Sequence, residues 1–421
     1  MNDVKLCIHR AADTIGGNCI EIMAPSGERI LLDAGRPLDT PDDVPTPMPP
    51  SLDTDTPVLG VLLSHAHQDH CGLLGVLPVG WPVFCGAATE ELLLLSAAMQ
   101  RESVRQKCTH WKSDASFPIG PFSITPRLID HSAFDAYAIQ IDVAGKTIVY
   151  SGDFRAHGRK AARTKALIQN PPSNVDALIM EGTNLPSGGV SIKPTPTEAE
   201  LEEEFATLFR KCKGRVFVSW SSTNIDRTVT LFRACKKSGR VLVPDLYCMM
   251  VLMRLKTFAN IPQPEWGGVH MRAVITNRMV RLTKRLGKAG LVDYLKSCNA
   301  AMGAASLEKT PENWVIMARS SLVDDYARKG VIPAENDLWL WSLWEGYLGQ
   351  ESSQKMKDFF APCQTKHLHG SGHASPDVLQ KFAEAMKPRM LIPVHGEHWQ
   401  SHDGSFSNTA HISNGQWISI S

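Results

Sequence analysis

The segment Ser64-His65-Ala66-His67-Gln68-Asp69-His70 constrains this chain more than any other. It follows directly on Val58–Leu63, an apolar run that reads as a buried strand. Four candidate ligands within six residues cannot be regular core. A strand would send His65 and His67 to the same side, whereas Asp69-His70 demands a turn. Grouped in this way they suit two metal ions side by side. Imidazole binds zinc and similar divalent ions, and a carboxylate completes or bridges the pair. A polar loop that holds no metal is the plainer alternative.

The rest of the composition is that of an ordinary globular protein. The 421 residues are 43% hydrophobic and 21% charged, enough for two or three domains and a large core. The formal net charge of +1 offers no global electrostatic attraction for nucleic acid, so any such footprint must be a local patch. None of the ten cysteines forms a Cys-x-x-Cys pair, and Val83-Phe84-Cys85 reads as a buried thiol. Val4–Arg10 looks like a strand rather than a leader, and the apolar run Leu92–Met99, broken by Ser96, is far too short to span a bilayer. The expectation is a reduced, soluble, cytoplasmic enzyme without disulfides or membrane contact.

Along the chain, Lys5–Arg10, Asn18–Met23 and Arg29–Asp33 read as strands, and a proline-rich surface loop covers Pro37 to Pro50. Thr89–Gln106 reads as a helix; Phe122–Ile129, Tyr137–Val143, Thr147–Tyr150 and Ala177–Met180 read as strands. Leu185–Pro196, with three prolines and two glycines, reads as a linker. Beyond it helices (Thr197–Lys213, Ile225–Lys237) alternate with strands (Arg215–Ser219, Arg240–Val243, Trp314–Ala318, Leu338–Leu343), the pattern of a parallel sheet with crossover helices. A tight His/Gly segment near residue 364, a helix (Pro376–Met386) and a strand (Met390–Val394) running into His395 close the pattern.

The His-x-His-x-Asp-His run resembles that of the metallo-β-lactamase superfamily. The resemblance implies that His65 and His67 hold one metal, with His131 of Asp130-His131-Ser132 completing that site, while Asp69 and His70 hold the second. Asp153 of Ser151-Gly152-Asp153 matches the bridging aspartate, and His395 of Pro393-Val394-His395-Gly396-Glu397 the final histidine. Three further features are similar to the extra motifs of the β-CASP nucleases, and among them of ribonuclease J. These are Glu181 in Met180-Glu181-Gly182-Thr183, His373 in His367-Leu368-His369-Gly370-Ser371-Gly372-His373, and His395 itself. About 180 residues separate Glu181 from His367, more than a small-molecule hydrolase needs. Glu181 stands where ribonuclease J usually carries Asp, as in the cleavage-and-polyadenylation relatives.

The resemblance implies an α/β fold: an αβ/βα metallo-β-lactamase sandwich made of residues 1–184 and 364–421, interrupted by a β-CASP α/β domain at 185–363. It implies two divalent metals, zinc or manganese, and cleavage of RNA at a site between the two domains. A histidine at position 395 sets the chain apart from the DNA-repair branch, although DNA stays open as a substrate. In this reading Asp69 orients the attacking water, His373 is the general acid for the leaving oxygen, and Glu181 holds the His373 ring. A lactonase or phosphoesterase with an enlarged lid is the alternative.

Weaker signals accompany these. Gly370-Ser371-Gly372 before a helix can cradle a phosphate with backbone N–H groups, or be a simple tight turn. Ser222, Asn224 and Arg227, at a strand-to-helix turn, resemble a phosphate-contact segment of ribonuclease J; a helix cap with a solvated arginine is the alternative. Residues 270–296 carry seven basic residues against Asp293, and Arg278, Arg281, Arg285 and Lys288 would share one helix face. Arg155, Arg159, Lys160, Arg163 and Lys165 form a second basic cluster. Trp339, Trp341 and Trp344 either stack bases or serve as core indoles.

Overall fold

The computed structural model describes residues 3–41, 44–100, 104–187, 195–266 and 268–421. The chain divides into two compact units. The first combines 1–194 with 372–421, and the second is 195–371. Part of the expected linker, 188–194, and residues 101–103 lie outside the described residues; the expected Thr89–Gln106 helix is Ala87–Gln100 among those described, and Val104–Gln106 are not helical.

The first unit contains two sheets. One has seven strands in the order Trp417–Ile420, Val4–Arg10, Cys19–Met23, Arg29–Leu32, Gly60–Leu62, Val83–Cys85, Cys108–His110. The other has six, in the order Met390–Val394, Val175–Glu181, Lys146–Tyr150, Ala136–Val143, Phe122–Ile129, Phe117–Ile119. Alternation along each strand gives each sheet two apolar faces. Leu6, Ile8, Ile20, Ile30 and Leu62 of the first sheet meet Ile139, Ile148, Tyr150, Ile179 and Ile392 of the second in one buried cluster. The outer face of the six-stranded sheet buries Val149, Leu178 and Leu391 against Leu167, Leu379 and Phe382 of the helices Ala161–Gln169 and Pro376–Met386. The outer face of the seven-stranded sheet buries Leu31, Val61 and Val83 against Leu73, Trp81 and Leu93. The layers therefore run helix, sheet, sheet, helix, as expected for the αβ/βα sandwich.

The pairing register brings distant segments to one place. Lys146–Tyr150, Val175–Glu181 and Met390–Val394 are parallel, with Tyr150 opposite Ile179 and Ile179 opposite Ile392. Three chain segments that are far apart in sequence thus end at one edge of the sheet.

The second unit contains a five-stranded, wholly parallel sheet in the order Val241–Val243, Trp314–Met317, Val216–Ser219, Leu338–Trp341, Gln364–His367. The sequence reading assigns Gln364–His367 to the completing part of the first domain, but it pairs with Leu338–Trp341 and belongs to the second unit. Its four residues are all exposed, so no apolar pattern marks them as a strand. The helix Glu198–Lys211 opens with a capping box between Thr197 and Glu200, and Ile225–Ser238 is closed by Gly239 in the left-handed region. The basic helix is shorter than expected. Asn277–Arg285 carries Arg278, Arg281 and Arg285, whereas Lys288 lies beyond Gly287, whose φ of +67° takes the chain out of the helix. Trp339 and Trp341 are core indoles, bonded to Ser219 Oγ and to the Trp344 carbonyl. Among the described residues no cysteine forms a disulfide, and no helix is long and apolar enough to cross a membrane.

Candidate metal centre

Every residue that the sequence reading assigns to metal lies in the first unit, and the structure brings all seven together at the ends of its strands. His65 leaves Gly60–Leu62, and Asp69 and His70 sit on the single turn Gln68–Cys71. The carbonyl of Asp69 accepts from the N–H groups of Gly17 and Asn18, both at 3.0 Å. A Cβ on Gly35 would lie 1.8 Å from that same oxygen, so only glycine lets the turn dock. His131 follows Phe122–Ile129, Asp153 follows Lys146–Tyr150, and His395 follows Met390–Val394 with a φ of +49°.

One oxygen is the centre of the arrangement. Asp153 Oδ2 lies 3.0 Å from His70 Nε2, 3.7 Å from His395 Nε2, 3.8 Å from His65 Nε2 and 3.9 Å from His131 Nε2. Three candidate ligand sets form around it: His65, His67 and His131; Asp69, His70, Asp153 and His395; and His131, Asp153 and His373. Within each set the candidate atoms lie within 4.8 Å of one another. His395 Nε2 is 3.8 Å from Asp69 Oδ2, although 326 positions of sequence would otherwise hold them apart.

The ring orientations are set from behind. Asp33 Oδ2 accepts from His70 Nδ1 at 2.7 Å, from Tyr150 Oη at 2.6 Å and from Ser64 Oγ at 2.7 Å, while Asp33 Oδ1 accepts from Ser64 N. Because Ser64 Oγ donates to Asp33, it accepts from His65 Nδ1 at 3.0 Å. His131 Nδ1 donates to the Gly372 carbonyl at 2.6 Å, and His395 Nδ1 to Asn18 Oδ1 at 2.7 Å. All four imidazoles turn Nε2 toward the cluster; His395 Nδ1 also faces the Gly16 N–H at 3.2 Å, whereas His65, His70 and His131 carry their proton on Nδ1. This is the tautomer a metal ligand needs. His65 Nε2, His70 Nε2, His395 Nε2 and both oxygens of Asp153 are buried without a hydrogen-bond partner. Converging lone pairs of this kind repel one another unless a cation lies among them, so the donor set fits divalent metal. Burial, reinforced by neighbouring histidines, holds His65 and His131 well below the usual imidazole range. Burial alone would raise the Asp153 carboxyl, but His395, His70 and His373 keep it well below the usual carboxylate range.

His373 stands beside the cluster. Its Nδ1 donates to Glu181 Oε2 at 3.0 Å and lies 3.7 Å from Asp153 Oδ2. Glu181 is buried, and its other oxygen accepts from Phe154 N at 2.9 Å. Asn184 Nδ2 donates to the His373 carbonyl at 3.0 Å. A fifth of the His373 side chain stays exposed. Burial opposes its charged form, yet Glu181, Asp153 and Asp69 push its pKa up to about 9.

The weaker candidates fare differently. Gly372 serves through its carbonyl, which holds His131; a Cβ there would lie 2.7 Å from Ser132 Oγ. The Gly370 carbonyl accepts from Arg227, and Ser371 stands between the two glycines, in the second unit. Arg227 is fully buried, paired with Glu198 Oε1 at 3.0 Å and bonded to Ser342 Oγ, so it is not a solvated arginine. Asn224 caps the helix by accepting from Arg227 N, and Ser222 is buried. Arg155 is buried against Asp130, and Lys160 Nζ donates to the carbonyls of Ala133 and Phe134. Of that basic cluster Arg163 and Lys165 are exposed. Asp33, Asn18 and Tyr150 are the supporting residues that the sequence reading does not single out. Only the placement of Asp33 directly after an apolar strand is visible in the sequence.

This fold and this donor cluster accord with a metallo-β-lactamase domain in the chain. Residues 28–220 match the Beta-lactamase superfamily domain, and residues 362–403 match the Zn-dependent metallo-hydrolase RNA specificity domain. The chain is a homologue of the ribonuclease J proteins. It is 25% identical to Ribonuclease J of Sinorhizobium meliloti over 354 residues, 80% of this chain and 57% of that protein. It is 23% identical to Ribonuclease J of Helicobacter pylori over 398 residues, 91% of this chain and 54% of that protein. It thus spans little more than half the length of these relatives. It is also 22% identical to an RNase J-like protein of Methanocaldococcus jannaschii, over 94% of each chain. A solved structure of a protein of unknown function from Enterococcus faecalis V583 shares the fold, with a TM-score of 0.75 and 21% identity over 99% of this chain.

Proposed function

We propose that the chain is a two-metal phosphodiester hydrolase that cleaves RNA. The observation that carries this reading is the set of buried, unpartnered Nε2 and carboxylate atoms converging on Asp153, with an ion-paired histidine at its rim. The RNA specificity domain at 362–403 supports the substrate class. His65, His67 and His131 would hold one ion, Asp69, His70 and His395 the other, and Asp153 would bridge them. Zinc suits the histidine-rich donors, as in the matched Zn-dependent family. Two such ions would neutralise charge at phosphorus and lower the pKa of bound water.

The protein's own residues do the rest. Asp69, partly exposed beside the cluster, would orient the attacking water. His373 is held through Nδ1 by Glu181, which leaves Nε2 to carry a proton. His373, held by Glu181 beside the cluster, would give a proton to the leaving oxygen. His131, Asp153 and His373 also lie close enough to share an ion, so the second reading makes His373 a ligand; metal content of a His373 variant separates the two.

The test is incubation of purified, metal-loaded protein with end-labelled RNA and DNA bearing a monophosphate or a triphosphate at the 5′ end. RNA cleavage that a chelator abolishes is the expected result. Hydrolysis of short esters or lactones with no action on RNA would overturn the reading.

A further inference from the structure

Trp344 is the largest exposed aromatic side chain at the carboxyl edge of the parallel sheet in the second unit. Ligands of open α/β sheets are taken at that edge. The residue is 61% exposed, although an indole of this size normally hides. It is nevertheless held in place. Trp341 Nε1 donates to the Trp344 carbonyl at 3.1 Å, and Tyr347 meets the ring edge-on, centroids 5.3 Å apart. A Cβ on Gly346 would lie 2.2 Å from the indole, so glycine is what allows the ring to lie over that turn. The loop is tied to the neighbouring strand by His367, whose Nε2 donates to the Leu343 carbonyl at 3.0 Å. That strand, Gln364–His367, lies within the residues that match the RNA specificity domain.

The geometry points to a base-stacking platform. Trp344, backed by Tyr347, takes the face of an unpaired nucleobase of single-stranded RNA. An exposed apolar ring costs stability unless something covers it, and a pre-set ring loses little entropy when it is covered. The Glu345 carboxylate, 3.9 Å from His367 Nδ1, disfavours a phosphate at this point. It is therefore the base, not the backbone, that the platform receives. Stacking is tolerant of sequence because every base has a π-face. This inference rests on RNA as the substrate.

The experiment measures binding of a fluorescein-labelled, phosphorothioate-linked oligouridine to the metal-loaded protein by anisotropy. Trp344→Ala should weaken binding roughly 5- to 150-fold, the range expected for loss of one stacked base, and Trp344→Phe should restore most of it. Binding of a blunt RNA duplex, whose bases are not free to stack, should change little in the same variant. Unchanged thermal unfolding of Trp344→Ala shows that the fold is intact. Equal oligouridine affinity in wild type and Trp344→Ala overturns the platform and leaves the RNA reading standing. An equal loss on single strand and duplex also overturns it. Wild-type protein that binds neither oligomer fails the RNA reading itself, and the platform with it.

Discussion

Replacing Asp33 by asparagine changes one atom in a buried set of four accepted hydrogen bonds: Ser64 N, Ser64 Oγ, Tyr150 Oη and His70 Nδ1. The amide can face its oxygen to only one side. If its NH2 replaces Oδ1, it confronts the N–H of Ser64, and one buried donor goes unpaired. If its NH2 replaces Oδ2, it confronts His70 Nδ1–H, and His70 escapes by moving its proton to Nε2. That atom is the one turned toward Asp153, 3.0 Å away, so the escape blocks the lone pair a metal requires. The first arrangement costs stability, about 1–3 kcal/mol for an unsatisfied buried donor. The second costs affinity, and removal of a carboxylate behind a metal-bound imidazole typically weakens binding about 10- to 100-fold. The expected outcome for Asp33→Asn is therefore a metal Kd raised within that range, read by competition with a chromogenic chelator. Wild-type affinity together with a wild-type unfolding midpoint would refute the assignment of Asp33 as the residue that sets the His70 tautomer.

Asp153→Ala should lose at least one metal ion by elemental analysis, because its central oxygen faces the ligand sets of His65 and of His70. His373→Ala should keep its metals and still bind RNA while cleaving it roughly 10²–10⁴-fold more slowly, with partial rescue by a substrate bearing a better leaving group; loss of metal would instead make His373 a ligand. Arg227→Ala leaves Glu198 buried without its partner and should lower the stability of the second unit by about 3–5 kcal/mol; wild-type stability in denaturant would show that the pair contributes nothing. Burial first, then Arg227, depresses His369 from 6.5 to about 3. The unfolded chain therefore takes up a proton that the folded chain refuses, so the contribution of His369 to stability is complete above pH 6.5 and is lost as the pH falls toward 3. His369→Gln should flatten the fall of the unfolding midpoint over that window, and an unchanged pH dependence would contradict it.

The sandwich and the parallel sheet were legible because burial repeats along their strands: Val216–Ser219 and Leu338–Trp341 are apolar throughout, and Ala136–Val143 alternates toward its end. Gln364–His367 and Cys108–His110 were not, since both are short strands at sheet edges whose pattern carries no burial signal. The donor residues were legible because each stands in a short motif at the end of an apolar run, where a strand must stop and a side chain can turn to a cleft. Their supporting partners were not. Gly372 suggested backbone N–H groups aimed at phosphate, yet its carbonyl holds a histidine 241 residues earlier. Arg227 reads as a phosphate contact or a solvated arginine; only the packing of the second unit shows it buried on Glu198.

The sequence by itself singled out the side chains that converge in the cluster, because residue type and spacing along one strand end are local properties. Tertiary structure alone decided which nitrogen of each ring faces the cluster. That choice depends on what lies behind the ring, and those acceptors come from elsewhere in the chain: Asp33, Asn18 and the Gly372 carbonyl. It also supplies the reason a central Asp153 is possible, since the parallel register of three distant strands carries one oxygen to within 4 Å of four converging imidazole Nε2 atoms.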